Sequence, residues 1–147
     1  MTSDRNFAAA YAEKSHYMIT HGRSPEAFEL AEQALRLDPH DVGRNIWEWY
    51  VCNAHAHLAQ WEQAIEWCQK SAASNPALFW PHYELAAAYA WLGQSSDAAR
   101  EVSELRKLRP DATVHLYREL QDFPDPTFVT ERDRIMEGLR KAGLSKN

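Results

Sequence analysis

Small and apolar residues recur along this chain at the spacing of three and four that one face of an α-helix requires. In residues 26–39 alanines follow this spacing until the segment ends at Pro39, and residues 62–76 and 96–110 repeat the pattern. Proline lacks an N–H and disfavours helix in the residue before it. Each of these segments is therefore predicted to be an amphipathic helix that ends at its proline.

Two landmarks give these segments the same repeat length. The early alanines are 37 and 34 residues apart, and so are the terminal prolines: Ala27, Ala64 and Ala98; Pro39, Pro76 and Pro110. A period near 34 residues is the signature of stacked helical hairpins. We expect three repeats, at about 8–41, 45–78 and 79–112.

The turn inside each hairpin has its own signal. Gly22 and Gly93 lie where the first helices of repeats one and three should end in a left-handed cap, a conformation that glycine adopts without strain. Ala59 occupies the corresponding place in repeat two. The glycines predict left-handed caps in repeats one and three, whereas the turn of repeat two has no glycine for such a cap.

The rest of the chain predicts a final helix pair at about 112–142. An array of hairpins exposes the apolar face of its last unit, and a charged amphipathic helix is the expected cover. Few residues favour strands, because valine, isoleucine and threonine are sparse. The predicted fold is all-α, a single domain over residues 1–147.

The repeats resemble the tetratricopeptide family. The stretch WLGQSSDAAREVSELRKLRP (91–110), preceded by Leu85, Ala86 and Tyr89, looks like the second half of such a repeat. The resemblance implies an α-solenoid whose first helices line a concave, partner-binding face. Carried over position by position, it places these residues in that groove: His16, Trp49, Asn53, His57, Trp80, Tyr83, Trp91 and Tyr117.

Two features qualify that groove. The positions of the family's carboxylate clamp hold Ala12, His16, Tyr50, Trp80 and Glu84, so the basic residues that grip acidic chaperone tails are absent. Trp80 and Trp91 have an alternative role, which is to pack against the C-terminal cap. The aromatic residues favour an apolar or mildly basic peptide or protein segment as the partner.

The tail DPTFVTERDRIMEGLRKAGLSKN carries a second resemblance, through its GLRKAGL ending. It is similar to the C-terminal end of the repeat region that follows the catalytic domain in some bacterial class III adenylate and guanylate cyclases. This resemblance implies a regulatory or scaffolding part of a cyclase-like signalling protein.

Composition narrows the functional classes. The net charge of −5 disfavours nucleic acid, and no apolar run approaches the roughly 18 residues of a membrane span. The N-terminal residues lack the apolar stretch of a signal peptide, so we expect a cytoplasmic chain.

Candidate chemistry is sparse. His55 and His57 are two residues apart, so on a helix they cannot chelate one ion, and we expect no metal site and no cofactor. Cys52 and Cys68 should lie on facing helices of repeat two, either as two small buried residues or as a redox pair.

These observations predict a non-catalytic protein-interaction scaffold, since no phosphate loop or nucleophile motif is present. The alternative is a self-associating module whose exposed ends stack into a homo-oligomer.

Overall fold

The computed structural model describes the backbone of residues 2–147 and the side chains of residues 7–147. This part of the chain forms helices and no strand, which confirms the all-α prediction. The helices are α1 (Thr2–Thr20), α2 (Ser24–Leu37), α3 (Arg44–His57), α4 (Trp61–Ser74), α5 (Trp80–Trp91), α6 (Ser95–Leu108), α7 (Val114–Leu120) and α8 (Pro126–Lys141).

The first six helices form three antiparallel hairpins, α1–α2, α3–α4 and α5–α6, which stack in sequence through α2–α3 and α4–α5 contacts. Small residues allow the close approach. Ala27, Ala31 and Ala34 of α2 are fully buried. The Ser15 hydroxyl of α1 donates a hydrogen bond of 2.6 Å to the Ala27 carbonyl oxygen. The helical spacing seen in the sequence is therefore the packing face of each hairpin.

The turns inside the hairpins confirm the predicted glycine caps. Gly22 and Gly93 have φ angles of +73° and +76°, in the left-handed region. Ala59 has a φ of +57° in the middle turn, although it carries a side chain. An L-residue in this conformation costs roughly 1–2 kcal/mol, so the middle turn is strained.

We expect Ala59→Gly to stabilise the protein by about 0.5–1 kcal/mol. Glycine removes the left-handed strain, and its greater freedom in the unfolded chain offsets part of that gain. Chemical denaturation measures the change. Gly93→Ala, which introduces the same strain in repeat three, is the matched control and should destabilise; a destabilised Ala59→Gly variant would contradict the expectation.

Cys52 of α3 and Cys68 of α4 form a disulfide, with their Cα atoms 5.2 Å apart. The sequence left two alternatives open, and the prediction of two free buried thiols is therefore wrong. Both residues are fully buried between the two helices. The bond links the hairpin's two helices across a sequence separation of 16 residues.

The C-terminal segment covers more of the array than its last hairpin. Helix α8 packs mainly on α5, with smaller contacts to α3 and α7, so it covers first helices of the hairpins. The tail after α8 reaches the second helix of the last hairpin, where Ala142 and Gly143 lie beside α6. The expected cover of the last hairpin is therefore present on α5, and α8 differs from a simple end cap in also reaching α3 of the second hairpin.

Candidate functional site: the concave face and its C-terminal cover

The apolar face of α8 is buried against the first helices. Phe128, Ile135 and Leu139 have no exposed surface. The Phe128 ring lies 4.9 Å from the ring of His57, which is also fully buried. A segment buried at this depth is part of the core of the domain, and it fills the space in which a bound segment was expected.

Polar contacts fix the position of α8. The His57 Nδ1 atom lies 3.0 Å from Glu131 Oε1, and the Arg134 guanidinium donates to the His57 carbonyl oxygen. The Trp91 indole N–H donates a bond of 3.0 Å to the Arg134 carbonyl oxygen. Burial lowers the pKa of His57 against the opposing effect of Glu131. Trp91 therefore packs against α8, which is the alternative role that the sequence allowed.

Gly138 allows α8 to approach α5 closely. A Cβ atom at this position would lie 2.7 Å from Trp91 Nε1 and 2.9 Å from Ala87 Cβ. Real Cβ atoms do not approach other atoms this closely, so a side chain here requires the two helices to separate.

We expect Gly138→Ala to destabilise the fold by about 1–3 kcal/mol, the usual cost of overpacking. This sign is opposite to the gain of about 0.5–1 kcal/mol that alanine normally gives over glycine inside a helix. Thermal denaturation measures the change, with the exposed Glu137→Ala as the control on the same helix. A Gly138→Ala variant as stable as the parent would show that α8 does not lie in this contact.

The centre of the concave side holds a buried carboxyl group. Glu84 is fully buried, and Asn53 Nδ2 donates a hydrogen bond of 2.7 Å to its Oε1 atom. The Trp49 indole and the Tyr117 hydroxyl approach this carboxyl group without full hydrogen-bond geometry. Burial raises the pKa of Glu84 to about 8, although the Asn53 bond opposes the shift. The group is therefore mostly protonated at neutral pH.

The eight residues predicted to line the groove divide into two sets. Asn53, His57, Tyr83 and Tyr117 are enclosed, and Trp91 is covered by α8, so the expectation of an open groove at these positions is not met. The physical reason is that α7 and α8 bury the same aromatic surface that a partner would use. His16, Trp49 and Trp80 instead reach a pocket that remains open.

That pocket, called here the aromatic pocket, has a volume of about 270 Å³. Its lining residues come from α1, α3, α5 and the end of α7 with the loop after it: His16, Ile46, Trp49, Tyr50, Trp80, Leu120, Gln121 and Phe123. Five of these eight carry rings. The size suits one side chain, since pockets for drug-sized ligands start at about 300 Å³.

The rings of the aromatic pocket contact one another in a continuous arc. His16 stacks on Tyr50 at 5.0 Å and meets Phe123 edge-on at 6.2 Å. Trp49 contacts Tyr50 at 5.7 Å and Trp80 at 5.1 Å. Because each ring is held by its neighbours, the pocket is formed before any ligand arrives.

Sequence reasoning missed Phe123 as a site residue, and it placed Tyr50 only at a clamp position. Tyr50 follows Trp49 directly, and adjacent residues of a helix point in different directions, so the groove position of Trp49 does not by itself extend to Tyr50. Phe123 lies in the short loop between α7 and α8, whose path the repeat pattern does not describe. The cluster of aromatic residues in WEWY was the available signal for Tyr50.

Across residues 7–147 no group of three or more His, Cys, Asp or Glu side chains is arranged to hold a metal ion. None of the helices described is both long and apolar enough to cross a membrane.

Comparisons with known proteins identify the fold. No protein-family model matches the sequence, and no curated protein matches it. Among solved structures, an Arabidopsis OM64 TPR domain has a TM-score of 0.69 at 14% identity, covering 91% of this chain and 98% of its own.

Two further solved structures have a similar fold. The first TPR of Spaghetti (RPAP3), bound to the HSP90 peptide SRMEEVD, has a TM-score of 0.67 at 17% identity, covering 92% of this chain and 98% of its own. An O-GlcNAc transferase mutant from Thermobaculum terrenum has a TM-score of 0.70 at 19% identity, covering 82% of this chain and only 23% of its own. These likenesses confirm that the chain has the fold of a tetratricopeptide-repeat domain.

Proposed function

We propose that this protein is a non-catalytic interaction module that binds a short segment of a partner protein at the aromatic pocket. The observation that carries this proposal is the arc of five rings left open beside α7. Rigid aromatic side chains supply much of the affinity at protein interfaces because they bury a large area at low entropic cost. The segment enters at the pocket because the remainder of the groove is filled by α8.

The pocket favours an apolar or mildly basic segment. The RPAP3 domain was solved with an acidic HSP90 peptide. Here the five positions carried over from the carboxylate clamp contain no lysine or arginine. An acidic chain end would therefore meet the faces of aromatic rings, whose partial negative charge disfavours an anion.

Photo-crosslinking tests the proposal. A benzoylphenylalanine residue replaces Leu120, which lines the pocket and is 37% exposed. We expect a protein adduct in the source cell that is lost when Trp80→Ala is added. The same photo-residue at Val42, which is 84% exposed and outside the pocket, is the control. An adduct that does not depend on Trp80 would reject the pocket as the binding site.

We also propose, from the tail resemblance, a role as the regulatory part of a cyclase-like signalling protein. Within GLRKAGL, Gly138 contacts Trp91, while Leu139 and Leu144 are buried, so these residues support the docking of the tail. Co-expression with class III cyclases of the source cell tests the role. A cyclase whose activity changes with this chain supports it, and unchanged activities would reject it.

The second candidate function is self-association. Phe7 and Tyr17 of α1 are 61% and 55% exposed, and they lie on the first helix of the array. Light scattering should then show an oligomer that Phe7→Glu with Tyr17→Glu converts to a monomer. A monomeric parent protein at high concentration would reject this candidate.

The cytoplasmic location is part of the proposal, and the disulfide is the observation that tests it. Disulfides persist in oxidising compartments and are rare in the cytosol. Alkylation of thiols at the moment of cell lysis reports the state of Cys52 and Cys68. Free thiols in the cell would support a cytoplasmic location, whereas an intact disulfide would indicate that the protein is located in an oxidising compartment.

A further inference from the structure

We propose that the aromatic pocket is specific for a cationic side chain, an arginine or a lysine of the partner segment. This inference rests on the proposed function and names the group that the segment would insert. The geometry that carries it is the arc of five rings around a cavity of about 270 Å³ with no lysine or arginine among its lining residues.

Several aromatic rings outside the pocket are contacted by a lysine or arginine of the same chain. Lys70 Nζ lies 4.0 Å from the centre of the Trp67 ring, and Lys141 Nζ lies 5.1 Å from that of Trp91. The Arg109 guanidinium lies 5.0 Å from the centre of the Phe79 ring while it also pairs with Asp111. Each of these partly exposed rings therefore has a cation at its face.

The rings of the aromatic pocket lack such a partner among residues 7–147. The π-faces of tryptophan and tyrosine carry partial negative charge and attract cations within about 6 Å. Tyr50 and Trp80, which are partly exposed, thus present to an incoming group the same kind of surface that the chain elsewhere covers with its own lysine or arginine, and the buried Trp49 packs behind them.

Charges around the pocket favour the same ligand. Glu13 acts on Tyr50 electrostatically, and Asp122 is exposed between two lining residues. The last charged residues of α7, Arg118 and Glu119, offset one another. His16 adds no opposing charge at neutral pH, because burial lowers its pKa. Arg132, which donates a hydrogen bond to the carbonyl oxygen of Gln121 beside the pocket, is paired with Asp133. A cation therefore enters a region whose nearest charges are negative or balanced.

The buried carboxyl group adds a second attraction. Glu84 lies behind Trp49, and its Oε2 atom has no hydrogen-bond partner. A positive charge in the pocket would favour the ionised form of this group, and an ionised Glu84 would in turn strengthen the binding of the cation. An anionic ligand has no comparable partner there.

The test compares side chains of matched shape. Capped pentapeptides carry one central arginine, lysine, citrulline or norleucine between glycines, and binding is followed through the indole ¹H–¹⁵N signals of Trp49 and Trp80. Citrulline has the shape of arginine without its charge. We expect arginine and lysine to bind about 5- to 30-fold more tightly than citrulline and norleucine, the range typical of cation–π contacts.

Variants assign the effect to the rings. Trp80→Leu keeps an apolar side chain but removes the π-face, so it should abolish the preference for the cation. Trp67→Leu, the same change on a ring outside the pocket, is the control and should leave binding unchanged. Denaturation of both variants verifies that they are folded.

The outcomes separate this inference from the proposed function. If citrulline and norleucine bind as tightly as arginine, the cation preference is wrong and the pocket stands as a binding site. If no peptide shifts either indole signal, both proposals are wrong. If choline binds more tightly than the arginine peptide, the ligand is a free quaternary ammonium compound and the protein segment is rejected.

Discussion

Deletion of residues 126–147 should reduce the free energy of unfolding by more than about 5 kcal/mol and cause the protein to associate. The deletion removes Phe128, Ile135 and Leu139, which are fully buried, and truncating a single core phenylalanine costs about 3–5 kcal/mol. It also exposes the apolar concave surface, and large exposed apolar patches promote association. The melting temperature should fall by roughly 10–20 °C.

Calorimetry and light scattering measure the two effects. A synthetic peptide of residues 124–147, added in excess, should restore part of the lost stability, because α8 would dock again without its covalent link. Phe128→Ala, with an expected loss of about 3–5 kcal/mol, replaces the deletion if the shortened chain does not fold. A shortened chain that remains monomeric with an unchanged melting temperature would contradict the position of α8.

The second large effect is a dependence of stability on pH that Glu84→Gln should remove. The carboxyl pKa is near 4.5 in the unfolded chain and about 8 in the fold. Between these values the folded protein retains a proton that the unfolded chain has lost. The stability that protonation provides is complete below pH 4.5 and falls by about 1 kcal/mol per pH unit as the pH rises toward 8.

Denaturant unfolding at pH 5, 6, 7 and 8 measures this slope. The glutamine variant keeps an acceptor for Asn53 and cannot ionise, so its advantage over the parent should grow with pH. Glu62→Gln, an exposed change on α4, is the control and should run parallel to the parent. Parallel curves for Glu84→Gln would show that this carboxyl group titrates alike in both states.

The sequence predicted the helices and hairpins because their signals are local. Small residues at helical spacing, prolines at repeat ends and Gly22 and Gly93 at turns each act within one hairpin. The disulfide could also have been predicted from the sequence. In repeat one, Ser15 and Ala31 lie 37 residues before Cys52 and Cys68, and both are fully buried. Because Cys52 and Cys68 occupy the same positions in repeat two, their side chains meet between the two helices, where the sulfur atoms can bond.

The position of α8 could not be derived in the same way. Its amphipathic pattern shows that one face is buried, but it does not show which helices that face contacts. The choice depends on specific contacts, such as Gly138 against Trp91 and Glu131 against His57, which join distant parts of the chain. The open groove was expected because family positions describe only the first helices.

The docking of α8 makes the groove a site of competition. A helix tethered beside its own binding surface acts at an effective concentration in the millimolar range, without the entropic cost of free association. If the docked state is favoured by about 4 kcal/mol, a segment that needs the same surface has its apparent Kd raised about 1000-fold. The aromatic pocket is open while α8 is docked, so a ligand there gains its full intrinsic affinity.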